Sequence, residues 1–240
     1  MFSWEDSIFH PPQPVEDDPY GFVGWSEDLD CAMLADAYYH SVFPWPEKEG
    51  EILWFSPPER GIVRIEKFHI PHGARRAFKN RKWRLAVDTA FDTVIEECAA
   101  AYRPDQDGTW ITPKMVKAYK KFHRMGHAHS FETYDENAFL IGGLYGVHVG
   151  AVFCGESMFF KESGASKFAL AGMFTFLKEL GVRIVDTQMV TPTLELFGAE
   201  TIERSEYWEL LEKYRDTPLL FPPSETAGEN KEQTSAQKEA

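Results

Sequence analysis

The apolar positions from Cys31 to His40 recur at helical spacing behind an Asp28-Leu29-Asp30 start, which predicts a short helix. Phe43-Pro44-Trp45-Pro46 then reads as a rigid aromatic corner, because proline fixes its own φ and forbids helix. Ile52 to Phe55 is a predicted strand stopped by Pro57 and Pro58. From Gly61 the period alternates: strand over 62–65, helix over 72–82, strand over 83–87, helix over 88–101. Thr112 and Pro113 supply an N-cap and a first-turn proline for a helix to Met125, which Gly126 ends. Strands are expected over 127–134, 138–147 and 150–158. A helix follows Gly164-Ala165-Ser166 to Leu180, closed by Gly181, and a strand over 182–190 and a helix over 205–214 complete the pattern.

Meandering strands in the middle, followed by a strand-helix-strand crossover, predict an α/β or α+β sheet covered by helices. The expected organisation is a small N-terminal domain over 1–60, beginning with an extended Pro-rich lead-in, a larger domain over 61–217, and a disordered tail over 218–240 with no hydrophobic residue larger than alanine after Phe221. The most apolar stretch, Phe139 to Gly155, is broken by Gly142, Gly143, Gly146, His148 and Gly150; it reads as two strands and a turn, so no membrane span is expected.

Composition adds little to this, since 43% hydrophobic and 26% charged residues describe an ordinary folded chain. Charge distribution adds more. The net charge is −13, yet residues 1–60 hold 13 acids and 2 bases, whereas residues 61–130 hold 7 acids and 14 bases. Arg75, Arg76, Lys79, Arg81, Lys82 and Arg84 follow one another without an acid between them. Such a segment creates a local positive field that a phosphate backbone feels within a Debye length, and it points to a polyanion partner. Cys31, Cys98 and Cys154 are odd in number and widely spaced; with no basic-apolar leader at Met1 the expected location is the cytoplasm.

Candidate chemistry gathers on two strands. Asp186 and Gln188 lie two apart and so share a face, and Glu156 sits in a neighbouring apolar strand. A buried carboxylate needs a partner or a purpose, so the trio is either a structural hydrogen-bond network or a site. His123, His127 and His129 have a spacing that zinc can use, but Gly126 separates the helix of the first from the strand of the others; structural histidines and no metal are expected. No Walker loop, G-x-G-x-x-G or G-x-S-x-G is present, which excludes NTPase, dinucleotide and serine-hydrolase chemistry of those kinds. Trp45, Trp54 and Trp110, each beside a turn or strand end, are candidate stacking surfaces for a base.

Seven segments carry a resemblance: Val42-Phe43-Pro44-Trp45, Ile52-Leu53-Trp54-Phe55-Ser56-Pro57, Gly108-Thr109-Trp110-Ile111-Thr112-Pro113, Gly126-His127-Ala128-His129-Ser130, Gly142-Gly143-Leu144-Tyr145-Gly146-Val147, Phe153-Cys154-Gly155-Glu156-Ser157-Met158-Phe159 and Ala165-Ser166-Lys167. In their order and spacing the chain resembles the leucyl/phenylalanyl-tRNA-protein transferase family over roughly residues 20–215. The resemblance implies a GNAT-like domain with a mixed, largely antiparallel sheet. It implies an enzyme that moves Leu, Phe or Met from charged tRNA to proteins beginning with Lys or Arg, as a monomer and without a cofactor. Carried over position by position, Glu156 and Gln188 hold the acceptor amine and the aminoacyl group, and Asp186 supports Gln188. Leu144, Phe153, Met158, Leu170, Met173, Leu177 and Val185 form the aminoacyl pocket. Trp45 and Trp110, with Tyr38 and Tyr119 nearby, take the terminal adenosine, and the basic helix takes acceptor-stem phosphates. The sequence departs from the family's pattern at Ser41, where a glycine is common, at Thr187, where a cysteine is common, and at Trp25-Ser26-Glu27-Asp28-Leu29. Either Asp186 polarises Gln188 to relay the amine proton, or a ribose hydroxyl does the shuttling. The alternatives are an acyl-CoA-dependent N-acetyltransferase of the same fold and a tRNA-binding relative without catalysis.

Overall fold

The computed structural model describes residues 7, 9, 14, 18–48, 51–101 and 110–222, with residues 46–48 through their backbone alone. Most of the lead-in, the first two residues (Gly108 and Thr109) of one motif and the tail from 223 onwards lie outside the described residues. The first elements are β1 (Phe22–Ser26), α1 (Cys31–Tyr39), β2 (Phe43–Lys48) and β3 (Glu51–Phe55), and the strands form a three-stranded antiparallel sheet in the order β1-β3-β2. Asp30 caps α1, its carboxylate accepting the Met33 N–H at 2.8 Å. The proline-rich segment expected to be a corner is instead the strand β2. It lies at the sheet's edge, where a residue lacking an N–H leaves no ladder bond unmade.

Between α1 and β2 the chain reverses through Ser41, whose φ is +66°. Left-handed backbone is strained for any residue with a Cβ, and the buried Ser41 hydroxyl has no hydrogen-bond partner. A glycine relieves both penalties at once. Ser41→Gly is therefore expected to stabilise the fold by about 1 kcal/mol, read as a raised midpoint in denaturant; an unchanged or lower midpoint contradicts the strain.

The remaining elements are β4 (Glu59–Arg64), α2 (His72–Lys79), β5 (Arg84–Val87), α3 (Phe91–Ala100), α4 (Pro113–Arg124), β6 (Ala128–Tyr134), β7 (Leu140–Val149), β8 (Val152–Phe160), α5 (Ala165–Leu180), β9 (Ile184–Gln188), α6 (Pro192–Glu195), β10 (Glu200–Glu203) and α7 (Arg204–Tyr214). They build a seven-stranded sheet ordered β10-β4-β9-β8-β7-β6-β5. Every pairing is antiparallel except β8 with β9, the pair that α5 joins, because parallel neighbours need a crossover between them. The fold is thus the helix-covered α/β sheet the pattern predicts, and its sheet is mixed and largely antiparallel, as the resemblance implies. The pattern does not predict β1, α6 or β10; Glu-Thr-Ile-Glu in β10 is too short and too charged to stand out, and it forms the sheet's edge.

Strand alternation sends apolar side chains to both faces. On one face Tyr145, Val147, Cys154 and Ile184 pack with α3, α4 and α7, and the same cluster takes in Tyr38, Phe43 and Trp54 from the first sheet's elements. On the other, Phe131, Leu144, Phe153 and Val185 pack under Leu170, Met173, Phe174 and Leu177 of α5.

Candidate active site

β8 and β9 are paired only across Val152/Ile184, Phe153/Val185 and Cys154/Asp186. Beyond that point the strands part, and the wedge between them holds the residues of interest. On the β7 side, Tyr145 pairs with Ser157 and Gly146 with Gly155, so Glu156 is the extra residue of a bulge. Bulges re-aim a side chain out of the regular alternation. The close approach of β7 here requires Gly146, since a Cβ on it would lie 2.4 Å from the Cys154 carbonyl oxygen. Gly155 has open space beside it instead, with a hypothetical Cβ meeting only the Asp186 carbonyl oxygen, at 3.7 Å.

Asp186 is fully buried and its carboxylate is saturated. Arg60 donates through Nε to Oδ1 at 2.9 Å and through Nη2 to Oδ2 at 2.7 Å, the Tyr207 hydroxyl donates to Oδ2 at 3.0 Å, and the Gln188 main-chain N–H donates to Oδ1 at 2.8 Å. Burial by itself lowers the Arg60 pKa, but the adjoining Asp186 carboxylate outweighs it and holds the guanidinium above its ordinary value. Gln188 has a φ of +54°, which ends the regular alternation expected to put both side chains on one face. The expected polarisation of the Gln188 amide by Asp186 is therefore corrected. Asp186 grips the backbone of Gln188, and the carboxamide Nε2 donates to Glu156 Oε1 at 3.3 Å.

The Glu156 pKa is pushed up to about 8, chiefly because burial disfavours the carboxylate and secondarily through Asp186, against the opposing hydroxyls of Tyr38 and Tyr119 and the charge of Arg60. The Tyr119 hydroxyl donates to Oε2 at 3.4 Å and meets the Tyr38 hydroxyl at 2.5 Å. Tyr38 and Tyr119 are 2% and 0% exposed, so neither ring has a face free for adenosine. The structure corrects that expectation: the two tyrosines back Glu156 from inside the core. Burial also pushes the Cys154 thiol well above its usual range, which removes it as a nucleophile beside the wedge.

Trp45 and Trp110 are both part-buried, with ring planes 8° apart and centroids separated by 6.3 Å. Trp54, the third candidate, is 1% exposed and belongs to the core. The seven residues expected to line an open pocket do converge, at α5 and the sheet face beneath it. Leu144, Phe153, Leu170, Met173, Leu177 and Val185 are each at most 3% exposed, however, and only Met158 is part-open. The expected open pocket is thus closed: apolar walls facing water gain by packing on one another. An apolar cavity of about 390 Å³ lies elsewhere, between α2 and α5, with Phe78, Leu85, Phe168 and Phe176 in its walls.

The six-base segment divides in three dimensions. Arg81 is paired with Glu162, Lys82 with Glu136 at 2.7 Å, and Arg84 lies over the Tyr134 ring at 4.9 Å. Arg75, Arg76 and Lys79, on α2, are exposed and have no acidic partner among the described residues. The linear order carries no sign of the neutralising acids, which come from other elements. Two of the three candidate histidines have polar partners, and Asp88, His123 and His129 place their ligand atoms within 4.8 Å of one another. His129 meets Asp88 Oδ2 through Nδ1 at 2.6 Å and His148 through Nε2 at 3.1 Å, and His123 Nδ1 meets the Ala128 carbonyl at 2.7 Å. Arg60 and Tyr207 are the site residues that sequence reasoning missed. The one trace of Arg60 is that it is one of two bases among the first 60 residues.

Two family models match the chain: leucyl/phenylalanyl-tRNA protein transferase over residues 62–212, and leucyl/phenylalanyl-tRNA protein transferase N-terminal domain over residues 27–58. A leucyl/phenylalanyl-tRNA-protein transferase of Neisseria meningitidis serogroup C (strain 053442) is 43% identical over 203 residues, 83% of this chain and 84% of that one. One from Xanthomonas euvesicatoria pv. vesicatoria (strain 85-10) is 42% identical over 215 residues, 90% of this chain and 85% of that one. Among solved structures, a GCN5-related glucosamine N-acetyltransferase region of a fungal multi-domain β-N-acetylglucosaminidase aligns with a TM-score of 0.45 and 13% identity, over 76% of this chain and 23% of that one.

Proposed function

Since the chain belongs to the leucyl/phenylalanyl-tRNA-protein transferase family, we propose that it transfers leucine or phenylalanine, and methionine, from aminoacyl-tRNA to the N-terminal amine of proteins beginning with Lys or Arg. The observation that carries the reading is the wedge itself, where the Gln188 carboxamide and the part-buried Glu156 carboxyl group meet between two parted strands. An aminoacyl ester is already activated, so the reaction needs a held nucleophile more than a strong catalyst. An α-amine has an ordinary pKa of about 7.7–8.0 and arrives mostly as ammonium at neutral pH. Glu156, raised to about 8, is matched to it: its ionised fraction at neutral pH is a minority, and that fraction takes one proton with little cost in either direction. The neutral amine then forms its bond to the ester carbon, the bond to the ribose oxygen breaks, and the second amine proton leaves with that oxygen. Gln188, fixed through its backbone by Asp186, positions the amine.

Trp45 and Trp110 offer the stacking surface for the terminal adenosine, and Arg75, Arg76 and Lys79 contact acceptor-stem phosphates. The aminoacyl side chain enters at Met158 and displaces the flexible Met173, methionine being the apolar residue that repacks most readily. A carboxyl group at the acceptor end, ionised in part at neutral pH, favours cationic N-termini over acidic ones. All site residues come from one chain, so the reading needs no second copy. No helix among the described residues is long and apolar enough to cross a membrane, and Cys31, Cys98 and Cys154 form no disulfide, which suits a cytoplasmic enzyme. The acetyl-CoA reading has only the Gly164 N-cap and the first residues of α5, Ala165 and Ser166, for its pyrophosphate.

The test incubates the protein with labelled leucyl-, phenylalanyl- and arginyl-tRNA and with peptides beginning with Lys, Arg, Asp or Glu. Leucine or phenylalanine on Lys and Arg peptides is expected; arginine on Asp and Glu peptides overturns the reading. In the same assay, alanine at Arg75, Arg76 and Lys79 together should weaken tRNA binding and reduce the slope of log affinity on log salt by about 3, near 0.9 for each phosphate no longer neutralised. A slope equal to the wild type's removes α2 from the interface.

A further inference from the structure

The buried guanidinium of Arg60 touches both halves of the proposed site. On one side it clamps Asp186, which holds the left-handed backbone of Gln188. On the other its Nη1 donates to the Ser41 carbonyl at 3.2 Å, and its plane lies between the rings of Phe43 and Tyr207 at 4.5 and 4.6 Å. Ser41 and Phe43 lead directly into Trp45, whose ring is 5.9 Å from that of Phe43. One side chain therefore ties the strand that carries an adenosine-stacking ring to the strand that carries the amine-holding amide, although Arg60 and Asp186 are 126 residues apart.

We infer that Arg60 is a positioning residue that sets the distance and angle between the adenosine end and the reacting end of the donor, through Asp186 to Gln188 and through Ser41 and Phe43 to Trp45. This rests on the reading of the site as an aminoacyl-tRNA transferase. Arginine is needed there and lysine will not serve, because a planar fork makes two parallel bonds to a carboxylate, stacks on aromatic rings and still has a donor left for a carbonyl. An ammonium makes a point contact and leaves the aromatic slot part-empty. The charge is retained, so the change is one of geometry.

Arg60→Lys is measured against wild type with leucyl-tRNA and with 3′-leucyl-adenosine, which lacks the acceptor stem, with rates referred to the folded fraction from thermal melts. The expected result is a fall in kcat of about a hundredfold with both donors, the size that a misplacement of about 1 Å produces, with a much smaller change in KM for leucyl-tRNA. A merely structural residue lowers the melting temperature and leaves kcat per folded molecule within about threefold, and that outcome overturns the inference. Phe43→Leu provides a second reading should Arg60→Lys fold poorly. It uncovers one face of the guanidinium without altering any charge, and about a tenfold loss of kcat is expected, while an unchanged kcat counts against Arg60. If wild type makes no product from either donor, the functional reading fails and the inference falls with it; an active wild type beside an equally active Arg60→Lys defeats the inference alone.

Discussion

Asp186→Asn lowers transfer about a hundredfold or more, costs about 3–5 kcal/mol of folding stability, and leaves tRNA affinity within about threefold of wild type. The stability loss follows from the local arithmetic of charge. Arg60 is buried and its partner is this one carboxylate, so an amide leaves a cation without compensation and turns an N–H towards donors. The rate loss follows from the Gln188 main chain: an amide whose Oδ1 keeps the Gln188 N–H and Arg60 Nε turns its own N–H towards Arg60 Nη2 and the Tyr207 hydroxyl, and the repulsion displaces the strand end that carries Gln188. Affinity for tRNA survives because α2 lies on the surface and takes no part in this network. Denaturant melts, filter binding and single-turnover transfer measured on one preparation separate the three. Equal losses of rate and affinity would refute the assigned role.

Glu156→Gln is expected to lower kcat/KM by about tenfold at pH 7, the size of the deficit of neutral amine there, and the ratio of wild type to variant should shrink as the pH is raised to 9. Near neutrality most of the amine is protonated, and a carboxylate matched to it supplies the neutral nucleophile; at higher pH the amine is neutral without help. A ratio that stays constant across the range leaves Glu156 a binding contact with no part in the proton's path. The same variant carries a stability signature of opposite sign. The folded state raises the Glu156 pKa from 4.5 to about 8, so it holds this proton more tightly than the unfolded chain does. The contribution is present in full below about pH 4.5 and is lost as pH rises through about 8. Glutamine cannot ionise and is spared that loss. Melting temperatures of the two proteins should be close at pH 5, with the variant higher at pH 9, even though it is the less active enzyme.

Most elements follow from the chain's own pattern. The spacing of Leu34, Ala37 and Tyr38 marks α1, Thr112 and Pro113 mark the start of α4, and Gly181 marks the end of α5, since each signal acts within a turn or two of itself. The trio Glu156, Asp186 and Gln188 is visible because polar residues in apolar strands must be accounted for wherever the strands end up. Motif order does the rest, tying Trp45 and Trp110 to one site across 65 positions of chain.

What only the tertiary structure decided were the relations between distant residues. Arg60 against Asp186, Glu162 against Arg81 and the tyrosine hydroxyls behind Glu156 are pairings between elements that the linear sequence does not rank above many others. The left-handed turn at Gln188 and the bulge at Glu156 are set by how β4, β7, β8 and β9 register, and no propensity of glutamine or glutamate announces them. Local chemistry fixes where helices and strands begin and end. Whether a charge is free or paired, and whether an apolar surface is a pocket or a packed core, depends on what the folded chain brings against it.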